Sequence, residues 1–127
     1  MIYIVQNIWP ILAACLAGLL LGAAWLKLAG RSLPGAPTLL LAAVCLFWLA
    51  AILAGALILA PDEAGPWTMA LGSSFIIWVG FVLPAFVATL RSAGAPWRSV
   101  AWTVSFWLVA MLVQAAIMQA VGLTKPL

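Results

Sequence analysis

Four long apolar runs, at about 8–26, 38–60, 67–90 and 100–121, make up most of the chain, and every charged residue falls between them or at their ends. As a helix rising 1.5 Å per residue, a run of ~20 residues covers the ~30 Å of a bilayer's hydrocarbon core. The pattern predicts an all-α, polytopic integral membrane protein whose four transmembrane helices occupy those ranges. Little is left outside them, so residues 1–127 read as a single transmembrane domain.

Proline and glycine mark the connections. Two prolines in Ser32-Leu33-Pro34-Gly35-Ala36-Pro37 lose their amide donors and restrict the residues before them, which turns the first hairpin there. Pro61 to Pro66 closes the second, and Ser92-Ala93-Gly94-Ala95-Pro96 the third, with Gly94 placed as a left-handed cap. Connections this short set successive helices side by side, giving an antiparallel up-and-down four-helix bundle.

Composition agrees: 69% of residues are apolar and 6% charged, far from a water-soluble domain. The net charge of +3 serves as a topology signal rather than a nucleic-acid footprint. Lys27 and Arg31 flank the first connection, Asp62 and Glu63 lie in the second, Arg91 and Arg98 bracket the third, and Lys125 follows the last run. Basic loops stay cytoplasmic, so the first and third connections are placed inside a bacterial cytoplasmic (inner) membrane, with both termini outside. No Lys or Arg precedes the first run, which reads as a retained helix rather than a secretory signal.

Several patterns inside the runs are candidate contacts or sites. Ala14, Gly18 and Gly22 recur every four residues, as do Ala51 and Gly55, a spacing that lets helices approach closely either within the bundle or between copies. Trp48, Trp78 and Trp107 fall near the middles of three helices at similar depth, an aromatic layer for a quinone, pigment or lipid tail, or simply large rings packed among small residues. Trp9, Trp67, Trp25 and Trp97 sit at helix ends as interfacial anchors. Ser73 and Ser74 share with Gln114 a depth ~8 Å from the midplane on the outer side. They form either a polar site below a mouth of Asn7, Gln119, Asp62 and Glu63, or ordinary hydrogen bonds between helices. Thr103 and Ser105 are expected to bond carbonyls of their own preceding turn. Pro84 removes a donor and is expected to kink its helix near Gly80.

Absences narrow the chemistry. Without histidine the chain has no histidine-ligated haem, no usual zinc site and no histidine acid or base. No carboxylate lies within a run, which removes the proton-coupled mechanism of small multidrug antiporters. Cys15 and Cys45 differ by ~10 Å in depth, too far for a disulfide. No catalytic, cofactor or metal set is expected.

The Gly18 and Gly22 stripe ending in Trp25, the segment Trp78-Val79-Gly80-Phe81-Val82-Leu83-Pro84, and Pro96-Trp97 before the last run resemble the bacterial four-helix membrane proteins classed as domain of unknown function 1761. That resemblance implies the four-helix architecture and no particular activity. The reading drawn from the sequence is a non-enzymatic structural or accessory membrane subunit. Its partners are the lipid bilayer and either copies of itself, as a homo-oligomer, or a larger membrane complex. The alternative is a small transporter or channel for a small solute or lipid.

Overall fold

A computed structural model of the chain describes residues 2–61 and 63–124; Asp62 and Lys125, both used above, lie outside them. The regular structure among the described residues is all helical: α1 (Ile2–Gln6), α2 (Ile8–Leu28), α3 (Ala36–Leu59), α4 (Pro66–Ile77), a π-helical turn (Trp78–Val82), α5 (Leu83–Ser92) and α6 (Trp97–Val121). Four stretches are long and apolar enough to cross a membrane, namely Ile8–Leu28, Ala36–Leu59, Pro66–Ser92 and Trp97–Val121. They match the four apolar runs to within a few residues at each end.

The short α1 adds to the expected set. Pro10 cannot donate to the carbonyl of Gln6, and its ring crowds that carbonyl, so the helix is interrupted at Asn7 with φ −114° and ψ 29°. Backbone bonds from Asn7 N to Tyr3 O and from Ile11 N to Asn7 O nevertheless carry the chain across.

Two helix ends share one device. At the end of α2, Gly30 takes φ +72°, Gly30 N donates to Lys27 O, and Arg31 N reaches back to Leu26 O at 2.9 Å. At the end of α5, Gly94 takes φ +87°, Gly94 N donates to Arg91 O, and Ala95 N reaches Leu90 O at 2.9 Å. Both are Schellman motifs, in which a left-handed residue that glycine adopts without steric cost satisfies the last carbonyls of the helix. The Arg91 guanidinium then lies 4.7 Å from the centre of the Trp97 ring and donates to Ala95 O, closing the connection to α6.

The interruption anticipated near Gly80 takes the form of the π-helical turn. Without an amide hydrogen on Pro84, the carbonyl four residues earlier loses its partner. The backbone widens, and Leu83 N bonds Trp78 O five residues back.

Helix α6 is the hub: it touches α2, α3, α4, the π-helical turn and α5, while α2 and α4 do not meet. A core cluster joins the start of α2, the end of α3 and the end of α6. There Ile11, Ala14, Ala50, Ala51, Leu53, Ala54, Ala115 and Met118 are buried together, with Tyr3 and Leu123 packed against them. Five of these eight are alanines, small enough to let three backbones converge and gain dispersion contact.

Candidate functional site

Beyond that core, where α2 ends and α3 and α6 begin, large rings replace alanines. Trp25 of α2 lies against Trp102 and Phe106 of α6, with ring centroids 5.0 and 5.7 Å apart. Phe106 meets Trp107 edge-on at 5.1 Å, and Trp107 stacks on Phe86 of α5 at 6.1 Å. The rings fill the space between α2, α5 and α6 and leave a cavity of about 440 Å³ facing α3.

Its walls run from Gly18 to Leu26 on α2, from Thr38 to Leu46 on α3 and from Trp102 to Trp107 on α6, with Arg31, Leu33 and Pro34 of the first connection at one end. Along α2 this is roughly 12 Å. Gly18, Gly22, Ala23 and Ala42 leave room that larger side chains would take. The lining is almost wholly apolar; its polar members are Arg31, Thr38, Thr103 and the Trp25 indole, with the Cys45 thiol partway along. The volume falls within the range of small-molecule sites, which combine an apolar lining with a few placed polar groups.

One polar group is left wanting. The indole nitrogen of Trp25 is buried and meets no acceptor among the described residues. A buried donor without a partner costs roughly 1–3 kcal/mol.

Gln114 lies just past the Gly18 end of the cavity. It is fully buried, and its amide nitrogen donates to Leu46 O at 3.2 Å and, at the long limit, to Ala14 O at 3.5 Å. Two carbonyls around one amide fix its orientation, because a flipped amide would set oxygen against oxygen. Its Oε1 is buried without a donor among the described residues.

The residues singled out in the sequence separate accordingly. The hydrogen bonds of Gln114 run to α2 and α3, whereas Ser74 turns inside its own helix and donates to Ala70 O at 2.9 Å; Ser73 is half-buried. No hydrogen bond joins them. Of the three tryptophans expected to form a layer, Trp107 lines the cavity, Trp78 donates to Val104 O at 2.9 Å, and Trp48 is 54% exposed on the outside of α3. Thr103 lines the cavity as well.

The small-residue stripes meet side chains of their own chain. A Cβ on Gly18 would lie 3.1 Å from Leu46 Cδ2, one on Gly22 would lie 3.7 Å from Phe106, and one on Gly55 only 2.8 Å from the Tyr3 hydroxyl. Ala14 and Ala51 are buried in the core. Asn7, placed by the sequence at a polar mouth, is instead a buried clamp. Its Nδ2 donates to Tyr3 O and to Thr124 O, both at 2.9 Å, and its Oδ1 accepts from Thr124 N at 2.6 Å. A small recess of about 100 Å³ lies near Gln119 and Pro61.

Trp25, Trp102, Phe106, Arg31 and Thr38 escaped sequence reasoning as one site. A signal existed in the four-residue spacing of Trp102 and Phe106, which puts both rings on one face of α6. Compared with known proteins, the chain matches no family model, no curated protein and no solved structure.

Chemically the cavity can hold and orient. Its lining includes no carboxylate, and no group of His, Cys, Asp and Glu among the described residues is placed to hold a metal ion.

Proposed function

We propose that the chain is a non-enzymatic component of a bacterial cytoplasmic membrane that holds an amphiphilic membrane constituent between α2, α3 and α6. The observation that carries this reading is the 440 Å³ apolar cavity with its few polar groups gathered toward one end. In the same reading the four spans form an antiparallel up-and-down bundle with both termini outside, so the cavity belongs to the cytoplasmic leaflet. The basic connections support that orientation, and the likeness of the Trp78 to Pro84 segment to the family of domain of unknown function 1761 supports the architecture.

Native mass spectrometry of the protein, extracted from its own membrane in mild detergent, tests the reading. A retained amphiphile is expected, and Ala42→Phe, which fills the cavity, is expected to remove it while leaving helix content intact. Cys45 should react with a membrane-permeant maleimide more slowly when the ligand is bound. Undiminished retention in Ala42→Phe would sink the proposal. Orientation is checked separately with Ser92→Cys, expected to react with an impermeant maleimide only after the membrane is opened.

A second reading, an accessory subunit of a larger assembly, draws on the span Pro66–Ser92. Only 11% of its most apolar window is buried, and both Gly72 and Gly80 face open space. Under that reading a stoichiometric protein partner accompanies the purified chain, and Gly72→Leu releases it.

A further inference from the structure

We propose that the occupant of the cavity is an anionic phospholipid, one acyl chain lying along the apolar walls and the phosphate of its head group bound at Arg31. This rests on the cavity being a ligand site and adds what the ligand must carry.

The argument begins with the polarity of the lining. The charged and nitrogen-bearing side chains at the polar end are donors: the Arg31 guanidinium and the unpartnered indole N–H of Trp25, joined by the hydroxyls of Thr38 and Thr103. The first turn of α3, which carries Thr38, has no side-chain cap at Gly35, so the positive end of its dipole lies beside this lining residue. Nothing in the lining supplies a negative charge. A complementary ligand is therefore rich in acceptors and anionic where it meets this end, and aliphatic elsewhere.

Placement of the cation follows from the backbone. The Schellman motif at Gly30 folds the chain back so that Arg31 N bonds Leu26 O, which holds Arg31 beside the last turn of α2, next to residues of the cavity wall. It stands where an apolar span meets its connecting loop, the level at which a phospholipid carries its phosphate. Arginine pairs with phosphate through two parallel hydrogen bonds. A neutral quinone would leave Arg31 without a counter-charge. Free phosphate would leave the apolar body of the cavity unfilled.

The test uses the purified full-length chain in detergent, titrated with phosphatidylglycerol, with phosphatidylcholine of identical acyl chains, and with ubiquinone, and read by native mass spectrometry. Wild type is expected to favour phosphatidylglycerol over the other two by about tenfold, the scale of one charge-assisted contact. Arg31→Gln is expected to bring phosphatidylglycerol down to the level of phosphatidylcholine. Lys27→Gln removes an equal charge from the same end but not from the cavity lining, and is expected to keep the preference. An unchanged preference in Arg31→Gln, equal binding of the two phospholipids by wild type, or tighter binding of ubiquinone overturns the head-group assignment. If Ala42→Phe still abolishes binding in those cases, the cavity stands and only the head group was misread. If Ala42→Phe binds like wild type, the cavity itself is not the site and both proposals fall.

Discussion

Gln114 on α6 and Leu46 on α3 are joined at 3.2 Å through the glutamine amide and the leucine carbonyl, at the level where the alanine-lined core ends and the cavity begins. Ala115, the next residue of α6, belongs to the core, and Leu46 belongs to the cavity wall. This polar tie therefore borders both the alanine-lined core and the cavity. Interhelical bonds of this kind contribute about 0.6 kcal/mol on average in membranes, up to ~1.7. That is modest beside the packing around it, so the tie fixes register more than it adds stability.

Gly18 is expected to tolerate no large side chain. Gly18→Leu drives carbon into Leu46 and the Gln114 amide, both already close to where a Cβ would stand. Overpacking of this kind costs about 1–3 kcal/mol. Gly72→Leu points into open space and is expected to stay within about 0.5 kcal/mol of wild type. Unfolding by sodium dodecyl sulfate in mixed micelles, followed by circular dichroism, measures both; equal losses would contradict the packing described.

Gly55 and Tyr3 are expected to be coupled. A methyl on Gly55 would press on the Tyr3 hydroxyl and ring carbon, at 2.8 and 3.0 Å, so Gly55→Ala must shift the Tyr3 side chain. The clash vanishes in Tyr3→Ala. A double-mutant cycle is therefore expected to give a non-additive term of about 1 kcal/mol or more, with Gly55→Ala nearly silent in the Tyr3→Ala background. Additive effects would show that the two residues do not meet.

Asn7→Ala removes three hydrogen bonds at once and strips Thr124 N and Thr124 O of the partners they have here. A loss of about 1–3 kcal/mol is expected, together with faster hydrogen exchange at the Thr124 amide and little change at α4. Asn7→Asp keeps the acceptor for Thr124 N but sets a carboxylate oxygen against the Tyr3 and Thr124 carbonyls, and is expected to cost at least as much as Asn7→Ala. Protection of the Thr124 amide equal in Asn7→Ala and wild type would remove the clamp.

How much of this was legible in the sequence depends on range. The four spans and the Gly94 cap follow from local patterns: long apolar runs, a glycine after the last helical turn, prolines that break the ladder. The π-helical turn was foreshadowed by Pro84, whose missing donor acts within one or two turns of itself. Pairings between distant residues were out of reach. Depth counting set Gln114 level with Ser73 and Ser74, but depth says nothing about which way a side chain faces around the helix. Gln114 bonds toward α2 and α3 while Ser74 bonds within its own helix. Trp25 shows the same limit, since its position at a helix end suits an interfacial anchor, yet its ring lies against Trp102 and Phe106.

The two groups that Asn7 binds most closely at its far side belong to a residue 117 positions later in the chain. The clamp therefore cannot close until α6 and the residues after it have been made. In the membrane setting proposed above, its closure is a step that follows synthesis of the last span.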